Sequence, residues 1–91
     1  MQQNLYIVKN ENSLKLSQFP HRKRGIISGY QNEDLKMPNK IIEMGLLPET
    51  EFEILYQAPF RGPMYVEFGI EKSRIALRQE EAEFIIAKNI L

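Results

Sequence analysis

The 91 residues predict a mainly-β fold, a small closed barrel of about five short strands with a short helix and one helical turn. Three observations carry that expectation. From Thr50 onward, apolar and polar residues alternate with period two, in short segments broken by Pro and Gly. Helix signals are confined to two short stretches. Strands this short and this numerous must also curl to bury their edges and one face, and a strongly bent barrel does both.

Residues 1–12 read as an N-terminal extension or added strand, and residues 13–91 as the barrel domain. In the extension the apolar run Leu5-Tyr6-Ile7-Val8 is followed by the polar cluster Lys9-Asn10-Glu11-Asn12. Ser13 to Phe19 places three apolar residues ahead of Pro20, which disfavours helix at the residue before it. An irregular or single-turn segment is expected there, docking Leu14, Leu16 or Phe19 on the core. The basic run His21-Arg22-Lys23-Arg24 follows. Gly25 to Tyr30, β-branched and bounded by glycines, reads as a strand.

Gln31-Asn32-Glu33-Asp34 is rich in helix-capping residues. Pro38 suits the first turn of a helix that continues from Asn39 to Met44, with Leu35 and Met37 as a backward extension. Gly45 stands where a left-handed C-cap belongs. Phe52, Ile54 and Tyr56 then alternate with Glu51, Glu53 and Leu55, as expected of a half-buried strand. Ala58-Pro59-Phe60-Arg61-Gly62-Pro63 is a turn. Met64, Val66, Phe68 and Ile70 alternate with Tyr65, Glu67 and Gly69 in a second strand, with Gly69 marking a bulge or bend. Glu71-Lys72-Ser73 connects to a third strand, Arg74 to Arg78. Gln79 to Glu83 reads as a helical turn, and Phe84 to Ala87 as the closing strand.

Composition narrows the chemistry. The chain has no cysteine, which excludes disulfides, thiolate metal sites and cysteine nucleophiles. No apolar run reaches the roughly 18–20 residues of a membrane span. Met1-Gln2-Gln3-Asn4 lacks the basic start of a signal peptide. A cytoplasmic protein without membrane insertion is therefore expected. The net charge is zero, yet residues 1–40 carry seven Lys/Arg against three Asp/Glu, and residues 41–91 five against nine. Such asymmetry marks a basic face or, more commonly, halves that intermix and neutralise locally.

Catalysis has little to work with. His21 is the one histidine, set among cations where a general base is poorly placed. There is no phosphate-binding Gly-rich loop and no nucleophile elbow. Glu80, Glu81 and Glu83 resemble a carboxylate cluster, but on a helical turn they read as a solvated face. For a metal, Glu33, Asp34 or the pair Glu51 and Glu53 are the candidates; the pair lies roughly 7 Å apart on one strand face. An outward polar face explains these as well, and no metal site or cofactor is expected.

Two binding roles remain. Residues 21–24 near Tyr30 offer a contact to phosphates, so a nucleic-acid-binding barrel is an alternative, although the zero net charge argues against it. The preferred role is protein binding. Phe60 beside Arg61 at a loop tip has the composition of an interface anchor, with folding back over the barrel end as an equally weighted competing reading. Leu46 and Leu47, after the helix cap, form a second candidate surface, with packing beneath the barrel as the competing reading. Tyr6, Ile7 and Val8 allow a homodimer by edge-strand addition.

Four ordered segments resemble the FeoA family. Lys40-Ile41-Ile42-Glu43-Met44-Gly45-Leu46-Leu47-Pro48-Glu49-Thr50 is similar to its basic residue, aliphatics, Glu and Gly followed by Leu-x-Pro-Gly-Thr. Ala58 to Pro63 resembles its Ala-Pro-Leu-Gly-Asp-Pro turn. Ile75-Ala76-Leu77-Arg78 with Glu81-Ala82-Glu83-Phe84-Ile85 resembles its Leu-Ala-Leu-Arg and Glu-Ala-x-x-Ile ending, and Leu16-Ser17-Gln18-Phe19 its Leu-Ser-x-Leu start. Lys40 replaces the usual Arg, Glu49 the turn Gly, and Arg61-Gly62 the pair Gly-Asp. The resemblance implies an SH3-like barrel without enzymatic activity, at work beside the ferrous-iron transporter FeoB, whose cytoplasmic portion binds GTP. It also implies kinship with the C-terminal interaction domain of iron-dependent repressors, and with it weak transition-metal binding as a further alternative.

Overall fold

The computed structural model describes residues 13–31 and 36–90. The extension 1–12 with its run Leu5 to Val8, and Asn32, Glu33, Asp34 and Leu35, lie outside the described residues. Six strands form one antiparallel sheet: β1 (Ser13–Lys15), β2 (Arg24–Tyr30), β3 (Glu51–Gln57), β4 (Met64–Phe68), β5 (Ser73–Leu77) and β6 (Ile85–Asn89). Their order is β1-β6-β2-β3-β4-β5. A 3-10 turn, Leu16–Gln18, follows β1; helix α1 spans Lys36–Met44 and helix α2 spans Gln79–Phe84.

The sheet turns along β2, which is paired unequally with its two neighbours. Its first half pairs with β3, from Arg24 opposite Glu53 to Ile26 opposite Glu51. From Gly25 to Tyr30 it pairs with β6, with an irregularity between Ile27 and Gly29 that sharpens the turn. At Gly25 the strands come closest to the core. A Cβ there would meet Phe19 Cζ at 2.5 Å and Phe52 Cζ at 2.7 Å, so only glycine fits beside this edge-to-face ring pair, whose centroids lie 5.0 Å apart.

Inside the bend lie Leu16, Phe19, Ile27, Ile41, Leu46, Phe52, Ile54, Met64, Val66, Leu77 and Ile85, all buried. Each large side chain among them contributes roughly 1.5–3 kcal/mol by leaving water. Helix α1 docks with Ile41 and ends in a paired cap: the Gly45 amide donates to Ile42 O at 2.9 Å and the Leu46 amide to Ile41 O at 3.2 Å. This fold is the mainly-β, small barrel-like architecture the alternation predicts, with the helix and helical turn in their expected places.

Several details differ. Ser13–Lys15 is a strand paired with β6, not an irregular segment, and it raises the strand count to six. Leu14 is exposed, while Leu16 and Phe19 carry the docking. In β3 the register shifts between Ile54 and Tyr56, so the alternation breaks and Tyr56 turns outward instead of joining Phe52 and Ile54. β4 stops at Phe68. Gly69 takes a φ of +81°, the Lys72 amide closes the turn on Gly69 O at 3.2 Å, and Ile70 is left fully exposed. Glu81 is the largest departure. It is 2% exposed, not part of a solvated face.

Candidate interaction surface

The β3–β4 hairpin presents the most exposed aromatic side chain among the described residues. Its tip is Pro59-Phe60-Arg61-Gly62, closed by the Gly62 amide donating to Pro59 O at 3.1 Å. Phe60 and Arg61 both have positive φ, 60° and 57°, as a type I′ hairpin turn requires. Such turns normally take Asn and Gly there. For other residues the left-handed region costs roughly 1–2 kcal/mol each. The glycine stands one position too late, at Gly62, to relieve it.

The loop holds this conformation because it is braced from below. Ala58 N–H donates to Pro63 O at 2.9 Å. Gln57 Nε2 donates to Gly62 O at 2.9 Å and to Gln79 Oε1 at 2.8 Å. Gln79 Nε2 in turn donates to Glu83 Oε2 at 3.0 Å. A chain of amides thus ties the hairpin to α2. Above it Phe60 stands 99% exposed, with Arg61 exposed beside it. A rigid aromatic beside a guanidinium loses little entropy on docking, the property of an interface anchor.

Of the second expected pair, only Leu47 reaches the surface. Leu46 is fully buried, and its carbonyl accepts the Tyr30 hydroxyl at 2.9 Å. The helix cap turns Leu46 inward, so packing beneath the barrel is the outcome there and Leu46 offers no contact surface. Burial also pushes the Tyr30 hydroxyl pKa up. Leu47 is 45% exposed and starts the turn into β3, where the Thr50 amide donates to Leu47 O at 3.1 Å. It does not join Phe60. The two lie before and after β3, separated by roughly 20 Å of strand. Ile70 accompanies Leu47's end instead, because the Gly69 amide donates to Glu51 O at 2.9 Å. Arg24, Glu49, Glu51, Ile70 and Lys72 line a concavity of about 530 Å³ there.

The basic run is exposed throughout, but Arg24 pairs with Glu51. That hydrogen bond raises the Arg24 pKa. Glu51 is thereby engaged with a cation, and Glu53 stands opposite Arg24 in register. Among the described residues no group of three His, Asp or Glu side chains is placed to hold a metal ion. Glu33 and Asp34 lie outside the described residues.

Glu81 was missed by sequence reasoning as an ordering residue. Its Oε1 accepts the Arg78 amide at 2.9 Å, capping α2, and its Oε2 meets Lys40 Nζ of α1 at 2.7 Å. Burial opposes its charge, but the bonds from Lys40 and the Arg78 amide outweigh that and hold its pKa below the usual carboxylate range. The available signal was the spacing Arg78-x-x-Glu81, which puts a carboxylate at the third helical position. Through this pair, α1 is fastened to the helix that also braces the Phe60 hairpin.

Comparison with known proteins agrees with this geometry. A solution structure of a FeoA-like protein from Clostridium acetobutylicum superposes with a TM-score of 0.76 at 25% identity, covering 88% of this chain and 90% of that one. FeoA of Stenotrophomonas maltophilia, solved with zinc, described as a prokaryotic SH3 domain protein and put forward as a ferrous iron transport activating factor, gives 0.68 at 22% identity, covering 82% and 89%. A manganese-dependent transcriptional repressor gives 0.78 at 15% identity; the match covers 86% of this chain but 37% of the repressor, so it reflects a shared fold in one part of that protein. No curated protein sequence matches the chain. The FeoA domain family itself matches residues 14–89, which takes in both helices and, but for Ser13 at the start of β1, every described strand. The chain belongs to the FeoA domain family.

Proposed function

We propose that this chain is a non-catalytic accessory protein of ferrous iron uptake, which acts from the cytoplasm by binding the cytoplasmic part of a FeoB-type transporter. Membership of the FeoA family supports the pathway. The observation that supports the mode of action is Phe60, 99% exposed on a hairpin tip that is strained and braced at once. Strain of this kind persists where the surroundings over-determine the loop, and it gathers at functional sites. In this reading Phe60 enters an apolar pocket of the transporter and Arg61 pairs with a carboxylate at its rim. Leu47, at the other end of β3, is a secondary contact.

The SH3-like sheet acts as a platform and needs no reacting group. No helix among the described residues is long and apolar enough to cross a membrane. The test is ferrous iron uptake in a strain lacking this gene with its transporter intact. Reduced uptake, restored by the wild-type chain and not by Phe60→Ala, is the expected result. Unchanged uptake in the deletion strain contradicts the proposal.

A further inference from the structure

Among the described strands β5 has a neighbour on one side only. It pairs with β4 and closes the order at one edge. Its inner residues are committed: Leu77 is buried and Ile75 packs against the core. Arg74 and Ala76 face outward and are exposed. Arg78 follows in extended backbone, φ −71° and ψ 159°, and is also exposed. By pleat alternation the outer edge therefore reads Arg74, Ala76, Arg78.

Two rows of side chains cross the outer face and end at this edge. One runs Arg24, Glu53, Glu67, Arg74 in cross-strand register, alternating from cation through two carboxylates to cation. Arg74 Nε donates to Glu67 at 3.1 Å while its side chain stays 70% exposed. The other row runs Tyr56, Tyr65, Ala76. The two tyrosine rings stack at 4.8 Å, and with Leu55, Arg74, Ile75 and Ala76 they line a mainly apolar groove of about 320 Å³. A strand laid beside β5 would continue both rows. It would meet a cation at Arg74, an apolar shelf at Ala76 and a second cation at Arg78.

A second copy of β5 fits poorly. The antiparallel registers centred on Arg74 or on Ala76 set Arg74 against its own copy or against Arg78. Like charges directly opposite are destabilising. Charge complementarity instead selects carboxylates flanking an apolar residue at every second position.

We propose that the β5 edge is a docking site for an extended protein segment of the pattern acidic-x-apolar-x-acidic, bound by strand addition. The incoming backbone pairs with the donors and acceptors of β5 that β4 does not engage. Its apolar side chain lies on the shelf beside Tyr65, and its two carboxylates meet Arg74 and Arg78. The site is distinct from the Phe60 tip and stands independently of the partner named above.

The test is an amide-shift titration of the full chain by NMR with the peptide acetyl-Ser-Glu-Thr-Tyr-Thr-Glu-Ser-amide, alongside the same peptide with both Glu replaced by Lys. Saturable shifts concentrated on residues 73–78 and Tyr65 are expected, with the Lys peptide about tenfold weaker or worse. Arg74→Glu is expected to reverse the preference between the peptides. Should that variant unfold through repulsion from Glu67, Arg74→Gln is expected to weaken the Glu peptide by about fivefold without favouring the Lys peptide. Equal affinity for the two peptides, shifts confined to residues 58–63, absence of saturable shifts, or concentration-dependent self-pairing through β5 would each overturn the proposal.

Discussion

The two hairpins that leave opposite ends of β4 each hold out a large apolar side chain, Phe60 at one and Ile70 at the other, exposed 99% and 100%. Exposure does not separate them; backbone does. The β4–β5 turn opens its positive φ on a glycine, Gly69 at +81°, where a Cβ would meet nothing within 4 Å, and has one further positive φ, 57° at Lys72. The β3–β4 tip places its positive φ on Phe60 and Arg61 and keeps it there through Gln57 and Gln79. One turn asks a single non-glycine residue, Lys72, for the left-handed region and spares Ile70; the other asks two adjacent residues, Phe60 itself among them. A bare apolar side chain is common on protein surfaces. An apolar side chain held on a strained, braced loop is a better guide to a contact.

The largest effect that separates the tips is on binding. Phe60→Ala is expected to weaken transporter binding by roughly 2–4 kcal/mol, as loss of an interface anchor does, with the melting temperature unchanged. Ile70→Ala is expected to leave both unchanged. Next comes the platform beneath the Phe60 tip. Glu81→Gln keeps an acceptor for the Arg78 amide but loses the charge that holds Lys40, and is expected to cost about 1–3 kcal/mol in thermal or urea unfolding.

That variant also carries a pH signature. The folded pKa of Glu81 is depressed, so its contribution to stability is complete above the unfolded carboxylate pKa, about 4.3. It is lost as pH falls from there through the folded value. The wild-type chain is expected to lose more stability than Glu81→Gln over that interval. Equal slopes in urea melts across it would show that the pair is not charged as described.

Backbone substitutions sharpen the comparison at the smallest scale. Gly69→Ala places a side chain at positive φ and is expected to destabilise by about 1 kcal/mol. Arg61→Gly relieves the same strain and, less the entropy that glycine gains in the unfolded chain, is expected to stabilise by about 0.5 kcal/mol. Opposite signs at the two positions, read by chemical denaturation, are the mark of a positive φ placed on glycine at one and forced on Arg61 at the other.

Much of this architecture was legible from local chemistry. Pro38 in the first turn and Gly45 just past the end mark α1, and the alternation through Phe52 and Ile54 marks β3, because those signals act within a few residues. Non-local arrangements were not legible. β1 is three residues long, and its identity as a strand depends on Ile86, Ala87 and Lys88 arriving beside it. The shift at Tyr56 and the early end of β4 left the alternating pattern intact in sequence while the backbone departed from it. Leu46 and Leu47 look alike as a pair of leucines, and only the cap geometry sends one inward.

The site was legible in the same uneven way. Phe60 and Arg61 stood out as a Pro- and Gly-flanked aromatic and cation. Their left-handed backbone did not, since glycine is the usual occupant of that region and lies at the next position. Glu49 is similar: it replaces the family's turn glycine and still adopts a φ of 76°. Glu81 was hidden because burial of its charge depends on Lys40, 41 residues away in the chain.

The most direct measurement of the account is the affinity of this chain for the isolated cytoplasmic part of the FeoB-type transporter from the same cell, by calorimetry at moderate salt, with and without guanine nucleotide. The account predicts saturable binding by the wild-type chain and by Ile70→Ala, and its loss in Phe60→Ala at unchanged fold. Binding by Phe60→Ala equal to wild type, or no binding by the wild-type chain in any nucleotide state, would contradict it.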